Sequence, residues 1–267
     1  MNLVTFVVKL GAAKGSLLWT GRTSVKGWSK AVAAGLGYVV GGPIGAVLGY
    51  MAGQKLVPKL KAQEGHLLIA NLLGFTTPLL KANVTPSSET RRETVLFLSR
   101  LFRFDREDEQ LADELLQRLL AVELDILAMA KTFKGHSDTQ MRQHLLEILA
   151  TLSLLINGPL ERGQLALLEK IAWALNLTPD QWRTIKSRYR GPSPQLDTPF
   201  CYAILELFPE SSEEEIRAAY RRLAKKYHPD RFVLKDQATQ RRRAERMTLI
   251  NAAYQTIRAD RGIESRA

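Results

Sequence analysis

Pro229 sets the shape of the last quarter of this 267-residue chain. Proline has no backbone N–H and bars helical backbone at the residue before it, so a helix arriving from the N-terminal side ends at His228. The start of that helix is equally defined. Ser212 followed three residues on by Glu215 is a capping box. Glu213, Glu214 and Glu215 place negative charge where the helix dipole favours it. Ile216, Tyr220, Leu223 and Tyr227 then recur at helical spacing as one apolar stripe, with Arg217, Arg221, Arg222, Lys225 and Lys226 beside it. Beyond the proline, Met247, Ile250, Tyr254 and Ile257 form a second stripe at heptad-like spacing. Two helices with facing stripes and a loop between them make an antiparallel hairpin.

The turn carries His228, Pro229 and Asp230. Upstream lies Tyr202-Ala203-Ile204-Leu205-Glu206-Leu207, and the second helix holds Ile250-Asn251-Ala252-Ala253-Tyr254. Over residues 198–258 this constellation resembles the J-domain of the DnaJ co-chaperone family. The resemblance implies a non-enzymatic activity, stimulation of the ATPase of a DnaK-type chaperone. Arg217, Arg221, Arg222 and Lys226 match the family's basic helix positions and would steer onto an acidic patch of that partner, an effect salt weakens. His228, Pro229 and Asp230 would engage the partner near its interdomain linker. There Pro229 limits the entropy lost on docking, and Asp230 can accept charge-assisted hydrogen bonds from an arginine. Tyr202, Leu205, Ile216, Tyr220, Leu223, Ile250 and Tyr254 would be the core that holds the loop. Residue 231 is Arg where the family usually has Lys. No Gly/Phe-rich region or Cys-rich zinc module follows, so the expectation is that another part of the chain selects client or location.

Residues 89–190 read as a run of short-linked helices, hence a bundle. One face is Val95, Leu96, Leu98, Leu101 and Phe102; after Asp105 come Leu111, Leu115, Leu116 and Leu119. Residues 124–133 form a short apolar piece ended by Gly135. Ser137 is expected to cap the next helix, with Met141, Leu145, Ile148, Leu149, Leu152 and Leu155. Asn157-Gly158-Pro159 turns into Leu165, Leu168, Ile171, Ala172 and Leu175, and Thr178-Pro179-Asp180 starts a helix bearing Trp182, Ile185 and Tyr189. An apolar helix within residues 57–83 precedes the bundle. In helix pattern, in the Asn157-Gly158 turn and in domain order, it resembles the TerB-like domain of membrane-anchored J-proteins of the DjlA type. Many such domains carry Asp-Gly followed by Glu, a plausible metal pair. Here Asn157 and Gln164 are neutral, so no metal is expected at that site. Asp105, Glu107, Asp108 and Glu109 fit the charge preference of a helix start.

Residues 31–53 hold no charged residue and are long enough to cross a bilayer, which needs about 20 residues. Gly37, Gly41, Gly45, Gly49 and Gly53 repeat every four residues, a stripe that lets a second helix approach closely in lipid and makes a homodimer one reading. A non-spanning hairpin turned at Gly41-Gly42-Pro43 is the alternative. The net charge is +11, and residues 1–61 hold eight Lys and Arg and no acid. A basic segment beside an apolar one suits an anionic membrane surface. Nucleic acid is not an expected partner, since Arg241, Arg242 and Arg243 lack interleaved aromatics.

The expected architecture is all-α. Residues 1–30 are a basic apolar segment lying against the membrane, 31–53 a glycine-zipper membrane segment and 54–190 a TerB-like bundle with its leading helix. Residues 191–197 are a linker, short enough to restrict how far the rest can roam, and 198–267 a J-domain. The J-domain should face the cytoplasm from the bacterial inner membrane, where ATP and the chaperone are. A membrane scaffold with a degenerate J-like region is the rival reading. The single cysteine, Cys201, reads as a packing residue. His66, His136, His144 and His228 show no metal-ligand spacing, and His136 and His144 read as parts of a solvated face. No cofactor or catalytic motif appears.

Overall fold

Twelve consecutive side chains, residues 144–155, are buried on a single helix. A helix buried on every face must stand at the centre of its neighbours, and six other described helices pack on this one. The computed structural model describes residues 64–81, 86–121, 123–135, 137–190, 194–228 and 237–263. In order these hold α1 (Glu64–Lys81), α2 (Ser88–Phe102), α3 (Arg106–Leu120), α4 (Ile126–Lys134), α5 (Thr139–Asn157), α6 (Arg162–Ala174), α7 (Pro179–Tyr189), α8 (Thr198–Ile204), α9 (Glu213–Tyr227) and α10 (Gln237–Arg261). No described residue is in a strand, and no described helix is long and apolar enough to cross a membrane. The expected membrane segment, with Gly37, Gly41, Gly45, Gly49 and Gly53, and the linker residues 191–193 lie outside the described residues.

The central helix is α5, which touches α1, α2, α6, α7, α8 and α10. The other centre is α1, packed on α3, α4, α5 and α6. Gly74 lies against α4, where a Cβ would meet the flexible end of the Met129 side chain. Pro78 sits inside α1, and the turn before it is bound by hydroxyls: Thr76 donates to the Leu72 carbonyl at 2.6 Å and Thr77 to that of Leu73 at 3.1 Å.

Local chemistry sets the helix ends. Ser87 caps α2 and Asp125 caps α4. Thr178 caps α7 through a capping box with Gln181, Pro179 taking the first turn. Asn176 has φ 58°, the left-handed conformation that ends a helix. The cap of α5 is Asp138 rather than Ser137. Asp138 accepts from the Met141 N–H at 2.7 Å, while the Ser137 hydroxyl donates back to the Phe133 carbonyl at the end of α4. The expected solvated face at His144 is also corrected. That ring is buried, with Nδ1 2.8 Å from the Gln140 carbonyl, because α5 is enclosed on all sides.

Candidate partner-binding site

The C-terminal hairpin forms as its stripes require. Glu215 N–H donates to the Ser212 hydroxyl at 3.2 Å, and Ser212 N–H to the Glu215 carboxylate at 2.7 Å, fixing the start of α9. At the other end His228 is exposed and leaves the helix in extended backbone, φ −60° and ψ 132°. This is the break that Pro229 imposes. Ile216, Leu223 and Tyr227 are buried against Leu249, Ile250, Ala253 and Ile257. The Tyr220 and Tyr254 rings stack at 4.1 Å, and the Tyr220 hydroxyl donates to Asn251 at 3.0 Å. Arg261 closes the open end, donating to the carbonyls of Ser211 at 2.7 Å and Pro209 at 2.5 Å. The short α8 lies against α10, with Phe200, Cys201, Tyr202, Ala203 and Ile204 all buried. Burial pushes the Cys201 thiol up to about 12, which keeps it protonated and inert at neutral pH.

The cations of α9 fall on two flanks of this buried stripe. Arg217 and Arg221, four apart, share one flank; Arg222 and Lys226 share the other. Arg217 pairs with Glu213 one turn earlier. Arg221 and Lys225 are exposed near His228. Arg222 reaches Glu206 at 2.7 Å. Pro229, Asp230 and Arg231 lie outside the described residues.

Residues 200–264 match the family model of the DnaJ domain. This segment is a DnaJ domain. It is 48% identical over 56 residues to the chaperone protein DnaJ of Synechococcus sp., 21% of this chain and 13% of that protein. It is 34% identical over 56 residues to the chaperone protein DnaJ of Mycoplasma genitalium, again 21% of this chain and 14% of that protein. A third relative is the adaptation to cold protein J of Shewanella oneidensis, 29% identical over 56 residues, 21% of this chain and 60% of that protein. The chain thus spans about a seventh of the length of the two DnaJ proteins. No solved structure matches it.

The J-domain does not stand apart from the bundle. Its α8 packs on α2, where the Phe97 and Phe200 ring centroids are 6.4 Å apart. Arg100 donates to the Glu206 carbonyl at 3.0 Å and lies over the Phe208 ring, and Arg103 pairs with Glu210. Arg188, at the end of α7, bridges Glu147 of α5 at 2.7 Å and Asp197, the α8 cap, at 2.5 Å. Burial pushes the Glu147 carboxyl upward against the pull of Arg188 and His144. The Lys226 flank of α9 faces α2. Its ammonium lies 3.5 Å from Glu89 and 3.6 Å from Glu93, and the Tyr227 hydroxyl donates to Glu93. Burial works against the Lys226 charge, but Tyr227, Glu93 and Glu89 outweigh it and hold its pKa above the usual lysine range. From α10, Arg243 reaches Glu89 at 3.1 Å and Arg241 reaches Glu161 at 3.2 Å. Arg246 is buried beside the Tyr227 ring.

Sequence reading missed Glu89, Glu93 and Glu161 as bundle partners of the J-domain, Arg243 as the residue that reaches Glu89, and Asp197 as the partner of Arg188. The available clue was that acids open α2 and α6, but a helix start explains such acids as well. The two neutral residues weighed as metal positions serve the fold. Gln164 is buried and accepts from the Glu161 N–H at 2.9 Å, and Asn157 leads into the turn that meets α10. Among the described residues no group of acids, His or Cys has the arrangement of a metal site.

Gly158 is where the turn touches α10. Its φ of 78° and ψ of −153° are accessible essentially to glycine alone, and a Cβ would overlap the Glu245 carboxyl group. Gly158→Ala should therefore lower stability by about 1–3 kcal/mol in denaturant unfolding. Gly163→Ala, where a Cβ meets nothing, should leave it unchanged or slightly higher. Equal effects would contradict this account of the turn.

Proposed function

We propose that this chain is a membrane-anchored co-chaperone of the DjlA type whose J-domain stimulates ATP hydrolysis by a DnaK-type chaperone. On this reading residues 54–190 are a TerB-like bundle and residues 191–197 join it to a J-domain at 198–267. The observation that carries the proposal is the outer end of α9. There Arg221, Lys225 and His228 are exposed together beside Pro229 and Asp230, in a segment that matches the DnaJ domain. The names of the DnaJ relatives as chaperone proteins support the same reading. The cations steer the J-domain onto an acidic surface of the partner. His228, Pro229 and Asp230 then bias the partner's conformation, and the partner carries out the hydrolysis. The uncharged stretch at 31–53 and its basic flanks support a bilayer anchor. The glycine stripe gives a surface on which a second copy would pack. The J-domain then faces the cytoplasm from the bacterial inner membrane, the side that holds ATP and the chaperone.

The full chain should speed single-turnover ATP hydrolysis by a DnaK-type chaperone, and His228→Gln should abolish this while helicity stays unchanged. Equal stimulation by both proteins would refute the assignment. Anchoring has its own check. The full chain should remain in the membrane pellet through carbonate washing, and a chain lacking residues 1–61 should not. Release of the full chain by high salt alone would exclude a span.

A further inference from the structure

The two flanks of α9 meet different surroundings. Arg221, Lys225 and His228 are exposed, whereas Lys226 is held by two carboxylates of the bundle. Those carboxylates, Glu89 and Glu93, lie one turn apart on α2 and receive cations from two J-domain helices, Lys226 of α9 and Arg243 of α10. The Tyr227 hydroxyl adds a second bond to Glu93. Glu93 and Arg243 are largely covered, with side chains 15% and 20% exposed. The cluster is therefore screened by salt less than an isolated surface pair.

We propose that the bundle is a built-in competitor for its own J-domain. Glu89 and Glu93 occupy the cationic flank of α9 with the kind of acidic surface that a chaperone partner would present. The inference rests on the proposed function, because the competition concerns the same helix. One ammonium group cannot serve the bundle's carboxylates and a partner's carboxylates at full strength together. While the cluster is closed, Lys226 is engaged by the bundle, whereas Arg222 on the same flank reaches Glu206 and stays exposed. Opening it adds Lys226 to the cations that a partner can meet. The J-domain need not detach for this, since the Phe97–Phe200 contact and the Arg188 bridge to Asp197 lie elsewhere in the interface. The cluster thus sets how strongly the docked J-domain engages, and anything that binds the acidic start of α2 would raise that engagement. A ligand shifts such an equilibrium only by its preference for one state, and a cation-bearing partner prefers the open one.

The test compares the full chain with its Glu89→Gln/Glu93→Gln form, which is isosteric and leaves every α9 cation in place. The readout is the co-chaperone concentration that half-maximally stimulates single-turnover ATP hydrolysis by a DnaK-type chaperone. Loss of a few partly exposed ion pairs should lower it about two- to fivefold. Arg243→Gln, which loosens the same cluster from the α10 side, should shift it in the same direction. Adding His228→Gln to either form should remove stimulation. Stimulation by wild type and both variants at one common concentration would overturn the competition and leave the proposed function standing. A higher concentration for the variants would overturn it too, since the cluster would then assist engagement. Absence of stimulation in every form would overturn the proposed function and this inference with it.

Discussion

The J-domain's first helix, α8, has seven residues, far too few to persist alone in water. It exists because five successive side chains, Phe200 to Ile204, are buried. One face of that burial is supplied by α10, the other by α2 of the bundle. The apolar contact therefore does two jobs. It completes the J-domain, and it fixes the direction in which α9 points relative to the bundle. Arg188 adds to the same constraint, joining α7 and the central α5 to the cap of α8. Because Glu147 lies in the enclosed part of α5, that bridge ties the entry of the J-domain to the bundle's own core.

Once α8 is seated, the electrostatics of the interface follow. The flank of α9 that bears Lys226 turns to the acidic start of α2, and α10 brings Arg243 and Arg241 to Glu89 and Glu161. The flank that bears Arg221 stays outward. Two of the three consecutive arginines that open α10, Arg241 and Arg243, are thus paired with bundle acids. This is a structural use for a basic run that would otherwise suggest a polyanion. The distribution of charge matters more here than its sum. The helix that should engage a partner is half committed inside the molecule.

Features set by neighbours along the chain were legible in the sequence. The capping box at Ser212, the helix start at Thr178, the break at His228 and the stripe Ile216, Tyr220, Leu223, Tyr227 all depend on residues within a turn or two. The second stripe was read too narrowly. Leu249 and Ala253 are buried along with Ile250 and Ile257, because a helix face in a packed domain is wider than a single heptad seam. Docking was not legible. Its bonds join residues 134 apart, as in Tyr227 to Glu93, or 154 apart, as in Arg243 to Glu89. No local pattern distinguishes a helix-start glutamate from one that also holds a distant lysine. His144 was misjudged for the same reason: its neighbours along α5 are mixed, and only the packing of other helices buries it.

The contacts that seat α8 on α2 and α5, and α10 on α5, make bundle and J-domain move as one body. Backbone nitrogen-15 relaxation on the full chain tests this most directly, by comparing rotational correlation times for amides in α2 and α5 with those in α9 and α10. A docked J-domain gives one common value for all four helices. A clearly shorter value for α9 and α10 would mean that the J-domain swings on its linker, and would contradict the account.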